Sequence, residues 1–145
     1  MDWKYNGKVF IPPKDFSPEV MYGFIYQITN TENSRKYIGK KFFWKKKTLP
    51  ITKSRKRKKR LLVESDWRTY CGSSKYLVED IEKIGLQKFD REILYIGTMK
   101  GELAYIEAKL QFENEVLLRD DYYNGIINIR LGSNSVNILK KKNMN

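Results

Sequence analysis

Two short runs rich in β-branched and aromatic residues, Gly23-Phe24-Ile25-Tyr26-Gln27-Ile28-Thr29 and Lys36-Tyr37-Ile38-Gly39, flank the polar stretch Asn30-Thr31-Glu32-Asn33-Ser34. Strand formers on both sides of a turn-forming segment predict a β-hairpin. A four-residue loop over Asn30 to Asn33 pairs Thr29 with Ser34. That register sets Tyr26 opposite Tyr37 and Phe24 opposite Gly39. Opposed Cβ atoms lie about 4.5–5.5 Å apart, so both phenols would share one face of the sheet.

What surrounds the hairpin is basic. The chain has 145 residues, 29 Lys and Arg against 17 Asp and Glu, and a formal charge of +12. Such a surface attracts polyanions, because each neutralised phosphate releases condensed counterions. Nucleic acid is the leading partner, with DNA expected before RNA. A membrane is not expected, since no run of about 18 apolar residues and no leader pattern is present. These features predict a soluble, cytoplasmic protein, in the host cell if a phage encodes it. At this length one domain is expected, without a second catalytic one.

The chain contains Cys71 as its one cysteine and no histidine. Internal disulfides and Cys/His zinc sites are therefore excluded. The usual general base at neutral pH is also missing, which leaves carboxylate-bound metal, tyrosine or lysine for any hydrolysis.

Along the chain, prolines at 12, 13 and 18 predict an extended arm over residues 1–20, with one short strand at Lys8 to Ile11. Residues 45–60 hold Lys45, Lys46, Lys47, Lys53, Arg55, Lys56, Arg57, Lys58, Lys59 and Arg60 without an apolar stripe, which predicts a loop or frayed helix. Ser74 caps an amphipathic helix carrying Leu77, Val78, Ile81 and Ile84 and stopped by Gly85. Phe89 to Ile96 reads as a strand. Gly101 to Arg119 reads as the longest helix, behind a cap at Thr98, with Leu103, Ile106, Leu110 and Leu117 at helical spacing. A turn over 120–125, a short strand at Ile126 to Ile129 and a polar tail, disordered beyond Leu139, complete the reading.

The segment Gly23-Phe24-Ile25-Tyr26, whose tyrosine lies eleven residues before that of Tyr37-Ile38-Gly39-Lys40, resembles the paired motif that names the GIY-YIG nucleases. The order hairpin, helix, strand, helix and late asparagine is similar to that family from Gly23 to about Arg130, and the paired motif is close in pattern to phage homing endonucleases and to the N-terminal incision domain of bacterial excision repair. The resemblance implies an α+β fold with a small antiparallel or mixed three-stranded β-sheet flanked by helices. It divides the chain into the arm 1–20, a nuclease domain 21–132 and a basic tail 133–145. It implies a DNA endonuclease of phage or mobile-element type that uses Mg²⁺ or Mn²⁺.

For site residues, the resemblance implies catalytic roles for Tyr26, Tyr37, Lys40 and Glu107, with Glu107 as metal ligand and Glu113 as its alternative. Glu102 belongs to the same helix and is read as a decoy. Asn128 matches the late asparagine, with Asn124 as the alternative. Where the family carries an arginine about ten residues after the second tyrosine, this chain has Lys47, and Arg55, Arg57 and Arg68 are other candidates for that role.

The chemistry suits these types. An unperturbed phenol has a pKa near 10, so a tyrosine acting as base near pH 7 needs about 3 units of depression, worth about 4 kcal/mol. Lys40 and a divalent ion are the expected sources, and the residues leave open which tyrosine meets the water. In an extended strand Lys40 would point away from Tyr37, so its role requires a break at Gly39. The basic residues Lys45, Lys46, Arg55, Lys56, Arg57, Lys58, Lys59, Arg60 and Arg68 are expected to touch the DNA backbone, adding salt-sensitive affinity with little specificity. Trp44, Trp67 and Tyr70 either stack on bases or pack as core and edge aromatics. The competing function is a non-catalytic DNA- or RNA-binding protein that keeps the fold.

Overall fold

Strand Gly23–Asn30 is buried along nearly its whole length, which marks it as the centre of a sheet covered on both faces. The computed structural model describes residues 2–54, 57 and 59–143. In chain order the strands are β1 (Trp3–Tyr5), β2 (Lys8–Val9), β3 (Gly23–Asn30), β4 (Lys36–Phe42), β5 (Trp44–Leu49), β6 (Lys59–Glu64) and β7 (Phe89–Gly97). The helices are α1 (Lys75–Ile84), α2 (Lys100–Glu113) and α3 (Asn137–Asn143). The main sheet has five strands in the order β2-β1-β7-β3-β4, while β5 and β6 form a separate pair. The sheet is mixed, since β1 runs parallel to β7 and the other pairs are antiparallel.

The expected α+β class holds, but the sheet has five strands because the arm supplies two of them. Trp3 draws the arm in: its ring is buried among Phe24 and Tyr26, and its indole N–H donates to the Trp67 carbonyl at 2.7 Å.

The hairpin forms with a register two residues from the expected one. Asn30 and Arg35 close the turn, Thr29 faces Lys36, Tyr26 faces Gly39 and Tyr37 faces Ile28. Asn30 and Asn33 accept from the amides of Glu32 and Arg35, and Ser34 takes φ 63°, so the four-residue loop sits one residue later than expected, which moves the register by two. A shift of two preserves the faces, and Tyr26 and Tyr37 remain on the same side.

Opposite faces of the sheet build two cores. One gathers Trp3, Phe24, Tyr26, Phe43, Trp67 and Leu77 under α1, and the other gathers Ile25, Ile38, Leu103, Val116 and Tyr122 under α2. Helix α1 matches its predicted bounds, ending at Gly85 with φ 101°. Helix α2 stops at Glu113 instead of Arg119: Glu115 takes φ 53°, and the turn returns Val116, not Leu117, to the core.

Three other expectations are corrected. Residues 126–129 form no strand, and in their place Tyr122 makes a single bridge to Lys36. The basic stretch folds as the β5–β6 ribbon because Lys45, Lys46 and Lys47 oppose Val63, Leu62 and Leu61, so the lysines face aliphatic side chains across the pair. That partner strand runs beyond the boundary at residue 60. The tail is helical to Asn143 and tied to α2, where Lys142 donates to Glu102 Oε2 at 2.7 Å.

Glu102 is fully buried and also accepts from the Thr98 amide at 2.7 Å and from the Tyr95 hydroxyl. Burial pushes its carboxyl up, but Lys142, Tyr95 and the Thr98 amide together bring it below the usual range. Its stabilising contribution is therefore present above the ordinary carboxylate pKa and is lost as pH falls through the depressed folded value. Glu102→Gln should cost about 1–3 kcal/mol in urea unfolding near neutral pH, and the difference from the unmodified chain should shrink in acid.

Candidate active site

Strand β4 lies at the edge of the five-stranded sheet, so half of its backbone groups face away from β3. Side chains cover that edge. The Ile38 amide donates to Asn124 Oδ1 at 3.1 Å, and the Ile38 carbonyl accepts from Asn124 Nδ2 at 2.8 Å and Gln111 Nε2 at 3.0 Å. At the next outward position Lys40 Nζ lies 3.3 Å from Glu107 Oε1. The strand runs unbroken through Gly39, so the break required for Lys40 is absent. Lys40 projects to the α2 face, away from the tyrosines, and meets Glu107 there.

The tyrosines occupy the other face of the same edge. Tyr26 is 1% exposed, with its ring 6.1 Å from that of half-buried Tyr37 and 5.8 Å from Tyr70. Gly39 makes their approach possible, because a Cβ there would sit 2.6 Å from Tyr26 Oη and 2.9 Å from Tyr37 Cε1. The Tyr37 hydroxyl lies 3.3 Å from Ser73 Oγ. One residue of bulge in the β3–β7 pairing falls between Ile25 and Tyr26, a distortion of the kind that re-aims side chains beside functional sites.

Electrostatically the two faces are one site. Burial pushes the Tyr26 phenol well above its ordinary value, with Tyr70, Tyr37 and Glu107 adding in the same direction. Burial also raises Tyr37, Tyr70 and Glu107 add to it, and the Ser73 hydroxyl offsets part. Burial raises the Glu107 carboxyl as well, against the lowering effect of Lys40. The expected depression of a phenol by Lys40 is therefore not found: Lys40 spends its charge on Glu107 across the sheet. On the tyrosine face the cation is Lys41, held 2.6 Å from Asp66 and 4.1 Å above the Tyr70 ring.

Among the described residues, no cluster of three carboxylate, thiol or imidazole groups could hold a metal. The carboxylate at this edge is Glu107, 16% exposed and paired with Lys40. That fits a hard ion such as Mg²⁺, which takes one or two carboxylates and keeps its waters.

The structure also separates the alternatives within α2 and beyond it. Glu113 is half exposed and pairs with Lys109, the ordinary state of a helix-surface glutamate, whereas Glu107 is mostly covered. Asn128 is exposed on the segment after Gly125, while Asn124 is buried against β4. Of the two asparagines it is therefore Asn124 whose side chain reaches Ile38 of β4. Lys47 is exposed on the ribbon opposite Leu61, away from the main sheet. Arg68 lies 3.0 Å from Glu64 and stacks on Trp67, which is core, and Arg57, Lys45, Lys46 and Arg60 are exposed. Arg55, Lys56 and Lys58 lie outside the described residues, as does the side chain of Lys59.

Sequence reasoning missed Lys41 and Gln111, and named Tyr70 without placing it beside Tyr26. Two of these carried a signal: Lys41 has the even offset from Tyr37 that keeps it on the tyrosine face, and Gln111 follows Glu107 by one helical turn.

The family model described as "Putative endonuclease segE, GIY-YIG domain" matches residues 3–127. The chain belongs to the GIY-YIG endonuclease family. The "Putative endonuclease segD" of Enterobacteria phage T4 is 34% identical over 103 residues, covering 71% of this chain and 37% of that protein. This GIY-YIG chain therefore spans little more than a third of the curated relative it matches. No solved structure matches it. The family match begins at residue 3, in agreement with the incorporation of the arm into the sheet.

Three substitutions test this geometry. Asn124→Ala leaves the buried Ile38 amide unpaired and should cost about 1–3 kcal/mol by chemical denaturation, whereas Asn128→Ala should stay within about 0.5 kcal/mol. Gly39→Ala should displace both phenols and shift the tyrosine near-ultraviolet circular dichroism even where the fold survives.

Proposed function

We propose that this chain is a divalent-metal-dependent DNA endonuclease of phage type, acting in the host cytoplasm where its substrate lies. The observation that carries this reading is that edge strand β4 of a strongly basic protein holds the Lys40–Glu107 pair on one face and Tyr37, packed on Tyr26 and bonded to Ser73, on the other. The phage relative supports the same reading.

Hydrolysis of a phosphodiester needs water positioned for in-line attack, charge to offset the added negative oxygen, and help for the leaving oxygen. Glu107 and the backbone cover provided by Asn124 would hold a divalent ion at the edge of β4, Glu107 as its ligand and Asn124 by fixing the strand. When bound, such an ion supplies positive charge to the phosphoryl oxygens and eases deprotonation of water.

The remaining work falls to the chain. Tyr37 is the phenol within reach of water, since it is half-buried and hydrogen-bonded to an exposed serine, while Tyr26 is closed off behind it. Tyr26 and Gly39 fix the ring of Tyr37. Lys40, relieved of Glu107 when another cation takes its place, is free to turn toward a phosphate oxygen. Asn124 and Gln111 keep the strand rigid, so these groups stay in place as the charge develops.

The alternative, a non-catalytic nucleic-acid-binding protein, is favoured by one observation. Lys47 lies on the ribbon opposite Leu61, in a different sheet from Tyr37 and from the Lys40–Glu107 pair. A lysine lacks the planar fork with which arginine grips phosphate.

Incubation of supercoiled plasmid with Mg²⁺ should give nicked and linear DNA, and EDTA should abolish it. Glu107→Ala should lower the rate on the order of 10²–10³-fold, as expected for losing one transition-state stabiliser. Tyr37→Phe should lower it on the order of 10²–10⁴-fold, the range of a lost acid–base group. Plasmid that stays intact across metals and salt would leave the binding protein standing.

A further inference from the structure

The ribbon of β5 and β6 is not hydrogen-bonded into the main sheet, and its register sorts its side chains onto two faces. Lys46 and Leu62 oppose one another, as do Thr48 and Arg60, and all four are exposed on one face. On the other face Lys45 and Lys47 oppose Val63 and Leu61, which are half-buried. A surface needed only for phosphate would be cationic alone. The first face instead mixes an ammonium, a hydroxyl, a guanidinium and a leucine that is 42% exposed, the mixture of donors and apolar contact that distinguishes base pairs in the major groove.

The dimensions agree. The six residues of β5, as extended strand, span roughly 20 Å, about six base-pair steps at 3.4 Å each. The major groove of B-form DNA is about 12 Å wide and accepts a two-stranded β-ribbon, whereas that of duplex RNA is too narrow for side chains to read.

Both strands leave the domain from one fixed point. Phe43 is fully buried, its amide donates to the Tyr22 carbonyl at 3.0 Å, and its carbonyl accepts from Ser65 at 2.8 Å. The Trp44 indole donates to the Met21 carbonyl at 2.7 Å. Between this base and the catalytic edge lies a cavity of about 260 Å³ whose lining includes Lys40, Lys41, Trp44 and Lys45. Cationic side chains thus run from Lys40, beside Glu107, to the start of the ribbon.

We propose that the β5–β6 ribbon is a base-reading arm that lies in the major groove of duplex DNA beside the cut site. Lys46, Thr48, Arg60 and Leu62 face the base edges, and Lys45 and Lys47 face phosphates. The arm makes the compact domain sequence-selective, in contrast to the nonspecific role expected of the basic stretch. The inference rests on the DNA-nuclease reading above, and its test separates the two.

The unmodified chain is mixed in EDTA with a randomised duplex DNA pool, and the bound fraction is sequenced. The cleaved ends are sequenced separately in Mg²⁺. A base preference is expected in the bound pool, and Arg60→Ala or Lys46→Ala should lower discrimination at a defined position by about 5- to 150-fold. Lys45→Ala and Lys47→Ala should leave that preference intact, and each should reduce the slope of log affinity against log salt by about 1, as one phosphate fewer is neutralised. Methylation of guanine N7, which projects into the major groove, should interfere with binding at the same positions. Thermal midpoints equal to that of the unmodified chain establish that the surface variants are folded.

A bound pool without base preference, a preference untouched by Arg60→Ala and Lys46→Ala, or equal competition by duplex RNA would overturn the arm. If base preference is present and lost in Arg60→Ala while no metal yields cleavage, the arm stands and the nuclease reading falls. If cleavage occurs without preference, the nuclease stands and the arm falls.

Discussion

The open edge of β4 is the constraint on which the rest of the structure depends. An edge strand exposes amide and carbonyl groups that must be paired or solvated, and here Ile38 has both of its outward groups taken by Asn124, with Gln111 added. Asn124 belongs to a segment that runs along β4, bonded to it through the amides of Lys36 and Tyr123. Gln111 brings in α2, and with it Glu107, one turn earlier. Satisfying the backbone of a single residue thus draws together the three chain segments that compose the site.

That edge also explains how groups on opposite faces can act together. Period-two alternation sends the tyrosines to one side of β4 and Lys40 to the other. In the middle of a sheet they would be insulated from each other by the strands. At the rim, the charge of Glu107 reaches both phenols. The raised phenols and the raised carboxyl share one leading cause, burial against the sheet, which penalises negative charge on each.

A second anchoring point is aromatic. Phe43 contacts Phe10, Phe16, Phe24 and Trp67, with ring centroids from 4.8 to 5.9 Å. It sits at the junction between β4 and β5, so the arm, the central strand and the base of the ribbon share one packed cluster. The ribbon therefore projects from rigid structure, and its strongly basic surface is directed by the core instead of being a flexible appendage.

Several elements were legible in the sequence: the hairpin, the shared face of Tyr26 and Tyr37, the bounds of α1 with its glycine stop, and the strand at β7. Each depends on residues a few positions apart, where strand alternation, helical periodicity and turn chemistry act locally. The two-residue shift in register did no harm because alternation repeats every two residues. What only the tertiary structure decided was which glutamate and which asparagine are packed against β4, that Lys40 meets Glu107 without any break in β4, and that the basic stretch is a ribbon. Lys40 and Glu107 lie 67 residues apart in sequence, and Ile38 and Asn124 lie 86 apart. Glu102, Glu107 and Glu113 look alike on a helix. Their different states arise because one is buried against Tyr95 and Lys142, one sits at the rim of the sheet, and one faces water. Burial is set by distant segments, so the sequence by itself determined the residue types along each element, while packing alone decided the surroundings that each of them meets.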